Sequence, residues 1–164
     1  MSIDYPTGVH TCCPASSVIY LTEAETKRLQ VLERRYREKA RLQITTRVQY
    51  YIAQMQQMHI EGICTSFSTL SIRDQKSRWG SCSSRGTLSF NYRLIFAPSR
   101  VLDYVVVHEL CHLTHMNHSK DFWSLVARVM PDYKQQKHWL RDHGQELNLP
   151  EYLRRQGIDI TLDE

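Results

Sequence analysis

The chain has 164 residues, 41% of them hydrophobic and 23% charged, a balance that supports one core-forming domain and excludes wholesale disorder. Its formal net charge of +4 and pI near 8.8 permit an anionic partner without requiring one. No stretch approaches the roughly eighteen apolar residues of a membrane span, no basic-then-apolar leader opens the chain, and the five cysteines form no C-x-x-C pair, so the expected setting is soluble, cytoplasmic and free of disulfides.

Residues 1–20 mix Pro6, Gly8 and Pro14 with little periodicity, which predicts a flexible arm with a short strand at 18–21. His10, Cys12 and Cys13 make a poor chelate beside Pro14. A single domain is expected over 21–164. Thr22 and Glu25 form a capping box, and a helical composition follows to about His59, with an apolar stripe of Leu29, Leu32, Tyr36, Ala40, Val48, Tyr51, Ile52 and Met55. The β-branched cluster Ile44-Thr45-Thr46 is expected to break it into two helices. Its basic face (Lys27, Arg28, Arg34, Arg35, Arg37, Lys39, Arg41) reads as solvated surface, with nucleic-acid contact the sharper alternative.

After Gly62 the period changes. Residues 67–73 predict a strand, and residues 87–96, where Leu88, Phe90, Tyr92, Leu94 and Phe96 alternate with their neighbours, predict a longer one. The intervening 77–86 is rich in Ser and Gly and reads as a loop. Pro98 and Ser99 open a helix expected to run to about Met116. Ser119 caps a further helix ended by Pro131, Pro131 and Asp132 start another that reaches about Gly144, and an extended tail is expected after Pro150.

The predicted helix after Pro98 carries His108-Glu109-Leu110-Cys111-His112, an H-E-x-x-H pattern in an apolar run. Residues four apart share a helix face, so His108 and His112 can present imidazole nitrogens to one ion. Glu109, one step round, can take the proton of a metal-bound water. Zinc suits such nitrogen donors and leaves a position open for water, so one zinc per chain is expected. A third ligand is needed. His118 is the leading candidate, but on a continuous helix it would lie roughly 15 Å further along the axis, so the helix must stop. Asn117, which tolerates the left-handed conformation, is expected to stop it. His115 is the competing ligand, although on the same helix it faces away from His108. The spacing of the three histidines equals that of metzincin proteases, but those place Gly where this chain has His115.

With these segments laid out, the chain resembles the YgjP-like metallopeptidases, relatives of the SprT-like zincins. The resemblance rests on Arg78-Trp79-Gly80-Ser81-Cys82, Asn91-Tyr92-Arg93-Leu94-Ile95, the run from Leu102 to Leu113, and Asn117-His118-Ser119 followed by Phe122-Trp123. It implies an α+β fold, a small zincin-like domain with helices packed on a short antiparallel sheet around the H-E-x-x-H helix. It also implies His108, His112 and His118 as metal ligands and Glu109 as the catalytic acid, in agreement with the geometric reading.

The expected activity is therefore zinc-dependent peptide hydrolysis with Glu109 as general base. Lys76, Arg78, Asn91 and Tyr92 are nominated to stabilise the developing oxyanion, and Trp79 to pack near the cleft with Gly80 allowing close backbone approach. An extended peptide or protein substrate would bind along a sheet edge. A first alternative is a nucleoside triphosphate phosphohydrolase, with Arg73, Lys76, Arg78, Arg85, Arg93 and Arg100 holding phosphates. A second is a DNA-associated protease module localised by the basic helix, although no DNA-reading motif is present.

Overall fold

A computed structural model describes residues 2–4 and 22–158 of the chain. The order of elements is β1 (Ser2–Asp4), α1 (Glu23–Gln57), β2 (Thr69–Arg73), β3 (Arg78–Cys82), β4 (Thr87–Asn91), a 3-10 turn (Tyr92–Phe96), α2 (Ser99–Cys111), α3 (Lys120–Val129), α4 (Tyr133–His143), a second 3-10 turn (Gly144–Glu146) and α5 (Leu149–Arg155). The fold is α+β, as expected. Among the described residues no helix is long and apolar enough to cross a membrane.

Helix α1 begins where the sequence places it. Thr22 accepts a hydrogen bond from the Glu25 amide, and the Glu25 carboxylate reaches back to the Thr22 amide, two otherwise orphaned donors satisfied reciprocally. The expected break at Ile44-Thr45-Thr46 does not occur, and one helix spans 35 residues. Packing outweighs the modest helix penalty of β-branched residues. Ile44 is fully buried in a stripe with Ala40, Val48, Tyr51 and Met55, and the Thr46 hydroxyl donates to the Leu42 carbonyl instead of competing with the helix. This stripe lies on α2 and on the turn after β4.

The sheet has the order β1-β3-β4-β2. It is mixed, a correction to the antiparallel expectation: β3 runs antiparallel to both β1 and β4, whereas β2 pairs parallel with β4 from Thr69↔Thr87 to Arg73↔Asn91. Strand β4 is inserted between β2 and β3, which are consecutive in sequence, and this insertion sets the parallel pair.

Three further expectations are corrected. The segment read as a loop contains β3, because Gly80, Ser81 and Cys82 pair with Phe90, Ser89 and Leu88, and only Ser83 to Gly86 make the turn, with Gly86 at φ 73°. The long strand 87–96 stops at Asn91, whose side-chain oxygen accepts from the Arg93 amide while its nitrogen donates to the carbonyls of Gln75 and Arg78. These bonds turn the backbone into the 3-10 turn, which still buries Tyr92 and Leu94. The tail after Pro150 is helical as far as Arg155: Asn148 caps α5, Pro150 occupies its first turn, and Leu149 and Leu153 are buried. Within the expected arm, Ser2–Asp4 forms β1; the strand expected at 18–21 lies outside the described residues.

Helix α2 is the centre of the molecule. Every residue from Val101 to Cys111 is buried, and the helix touches α1, α3, α4 and β3. A helix buried all round must partner its polar residues. Asp103 is met by Arg47 of α1 in a two-pronged ion pair at 2.5 and 2.6 Å.

Candidate active site

The end of α2 and the start of α3 bring three imidazoles together. His108 Nε2 lies 3.1 Å from His112 Nε2 and 3.0 Å from His118 Nε2. Together the three residues form a group that could hold a metal ion. The first two are brought together by helical spacing alone. His118 arrives because α2 ends at Cys111, with His112 as its C-cap. The expected stop at Asn117 is corrected: His59 is the sole non-glycine residue at positive φ among the described residues. The chain instead tightens one turn earlier, where the Leu113 and Thr114 amides bond three residues back to Leu110 and Cys111. Ser119 then caps α3 by accepting from the Phe122 amide at 3.3 Å.

His115, weighed as a rival ligand, contributes its backbone. Its carbonyl accepts a 2.9 Å hydrogen bond from His112 Nδ1. With that proton on Nδ1, the Nε2 lone pair faces the other two imidazoles. A backbone role leaves no mark in the residue type. The rings are wedged by aromatics: Phe122 stacks on His112 with centroids 4.4 Å apart, and Trp123 stacks on His118 at 5.6 Å and on Tyr133 at 5.4 Å. Lys137 sits 4.4 Å over the Trp123 ring.

Burial depresses the basicity of all three histidines, holding His112 down to about 4 and His108 well below the ordinary imidazole range, with a smaller lowering at His118. At neutral pH the trio therefore offers uncharged nitrogen donors. Glu109 is fully buried, and β3 crosses it at Gly80: a Cβ on Gly80 would fall 2.7 Å from Glu109 Oε1 and 2.8 Å from its Cγ. The glycine is needed for this close approach. Around the carboxylate, burial and then the Glu109 charge raise the Cys82 thiol to about 11, and push the Cys111 thiol and the Tyr104 hydroxyl upward as well.

The five nominated substrate contacts divide. Lys76 and Arg78 are exposed. Trp79 is 1% exposed and lies against Gly144, where a Cβ would fall 2.9 Å from its ring, so it is core. Asn91 is fully buried and shapes the turn after β4, and Tyr92 is buried beneath the Arg37 guanidinium. Buried side chains such as these offer a substrate no surface to touch. Of the arginines proposed for phosphates, Arg93 pairs with Asp74 and Arg100 with Asp132. The Tyr133 and Lys137 wall beyond Trp123 was not anticipated, because α4 reaches the site only through tertiary packing on α2.

Comparison with known proteins adds two findings. A family model described as "YgjP-like, metallopeptidase domain" matches residues 10–143. Among solved structures, the metallopeptidase zymogen of Pyrococcus abyssi abylysin matches with a TM-score of 0.50 at 19% identity, covering 62% of this chain and 93% of that one, a likeness of fold. No curated protein matches.

Proposed function

Since the chain belongs to the YgjP-like metallopeptidase family, we propose that it is a zinc-dependent peptidase whose metal is held by His108, His112 and His118 and whose general base is Glu109, all carried by the domain from residue 21 onward. The observation that carries this reading is the convergence of three uncharged imidazole nitrogens, one turned inward by the His115 carbonyl, beside a buried carboxylate. The donor set fits zinc, which takes imidazole nitrogen in a tetrahedral shell with one position left open. A zinc ion there would supply Lewis acidity and render a water nucleophilic near neutral pH.

The chain's own residues do the rest. Glu109 accepts the proton of the attacking water and returns it to the departing amine. Its position is fixed by α2 on one side and by Gly80 on the other, which holds the base where the water must be. Phe122 and Trp123 lock the ligand rings. A polypeptide substrate is held extended along an edge of the sheet through main-chain hydrogen bonds, a mode that tolerates many sequences.

The test is Glu109→Gln. Gln keeps the shape of Glu and cannot accept the proton, so the variant should retain about one zinc per chain by elemental analysis while peptide hydrolysis falls by roughly 10² to 10⁴. Hydrolysis near the wild-type rate would remove Glu109 from the role of base.

A further inference from the structure

The backbone of β3 passes so close to Glu109 that Gly80 has no room for a side chain. Any extended segment laid along the outer edge of β3 is therefore laid beside the general base. The protein lays one there itself. Strand β1 runs antiparallel to β3 with Ser2 opposite Ser81, Ile3 opposite Gly80 and Asp4 opposite Arg78, and the register shifts between Ile3 and Asp4. The residue facing Gly80 is thus at the centre of the pairing.

In the order β1-β3-β4-β2, removal of β1 makes β3 the edge, with a row of main-chain donors and acceptors unpaired. Those are the groups an extended polypeptide would use. A strand of three residues makes few ladder bonds and carries an irregularity between Ile3 and Asp4. Its hold on the edge is weak, and it persists because it belongs to the same chain. So short a pairing, held within one chain, is of a kind that a longer extended polypeptide can displace.

We infer that Ser2–Asp4 is a self-docked strand that occupies the substrate edge of β3 beside Glu109 and restrains the enzyme until an extended polypeptide displaces it. This rests on the peptidase reading above. Its effect on affinity follows from occupancy: a site available for only a tenth of the time binds about tenfold more weakly.

The experiment uses the full zinc-loaded chain and fluorescein-labelled casein, an unstructured polypeptide. Ser2→Pro together with Ile3→Pro removes two successive amide hydrogens, so the one that faces β3 is lost whichever it is. Amide exchange at Gly80 and Ser81 should quicken, and KM for casein should fall by about tenfold. The opposite arm is Ser2→Cys with Ser81→Cys, whose directly opposed backbone positions suit a cross-strand disulfide. Oxidation should suppress cleavage and a phosphine reductant restore it, relative to the unsubstituted chain treated alike. Faster exchange with unchanged or poorer casein cleavage would show β1 to be edge protection alone and overturn the inference, as would an oxidised pair as active as the reduced one. If no form cleaves casein, the peptidase reading falls. Casein binding in the Glu109→Gln background then decides the inference: tighter binding by the proline variant upholds it, and equal binding overturns it.

Discussion

Helices α1 and α2 lie against each other and obey opposite rules. Helix α1 has 35 residues and buries five of them, so it is a long polar rod with one apolar stripe. Helix α2 has 13 residues and buries eleven in succession, among them Asp103, His108 and Glu109. A solvated helix can carry charge anywhere at little cost; a helix inside the core can carry it only where a partner waits. The polar residues of α2 are therefore the ones tied to function or to another element, whereas those of α1 are mostly not. Among the exceptions on α1 are Arg37, which reaches Asp74, and Arg47, which neutralises Asp103.

That contrast yields a graded set of expectations. The largest effect belongs to His112→Ala, which removes one of three proposed ligands: zinc measured by elemental analysis should drop to a small fraction of one per chain, and full retention would move the site elsewhere. Next is Gly80→Ala. Its Cβ collides with Glu109 Oε1 and Cγ, so zinc should be kept while kcat falls by on the order of 10², the cost of displacing the proposed base by about an ångström. Equal activity would mean β3 can retreat from α2. Asp103→Ala strands Arg47 and should cost about 3 kcal/mol in denaturant unfolding, at the lower end for a broken buried pair, because Arg47 keeps 32% of its side chain in water. A loss below half of that would show the pair to be replaceable by solvent.

A smaller effect concerns pH. In the metal-free chain His112 titrates at about 4 because burial disfavours its charged form, against about 6.5 when unfolded. Between those values the unfolded chain binds more protons, so the contribution is present above 6.5 and lost as the pH falls toward 4. Melting temperature in chelator should decline through that window, and more shallowly in His112→Ala; superimposable declines would remove His112 as a cause. The smallest effect is expected on α1, where Leu42 is 72% exposed. Leu42→Gln should shift stability by less than about 0.5 kcal/mol, and a larger change would reveal a partner for that face.

The two helices also differ in how they could be read from residues alone. The capping box at Thr22, the apolar stripe of α1 and the cap at Ser119 were legible because each is a local device. The H-E-x-x-H face was legible for the same reason, since helical spacing alone brings His108 and His112 together. What escaped rests on tertiary packing or on hydrogen bonds that no residue type announces. Thr45 and Thr46 look like a break until Ile44 is packed into the core. The segment from Arg78 to Cys82 looks like a loop because Gly80 and Ser81 are turn formers in isolation, yet the glycine is present for Glu109. Alternation through Phe96 predicts strand, and one residue, Asn91, overrides it with three side-chain hydrogen bonds. The early end of α2 depends on backbone bonds at Leu113 and Thr114, and the inward turn of His112 on a carbonyl at 115, which any residue could have supplied.

The stacking of Trp123 on His118 has an optical consequence. Of the three tryptophans, Trp79 is enclosed beside Gly144 and Trp139 lies against His143, while Trp123 shares a face with one of the converging imidazoles at 5.6 Å. An ion with absorption in the near ultraviolet or visible, such as cobalt(II) or copper(II), bound at those imidazoles would sit within energy-transfer range of that indole. Titration with cobalt(II) should quench part of the emission, that of Trp123 foremost, and zinc, the tighter binder of the two, should restore it by displacement when added afterwards. The protein thus carries its own reporter of site occupancy, readable without substrate and without a label.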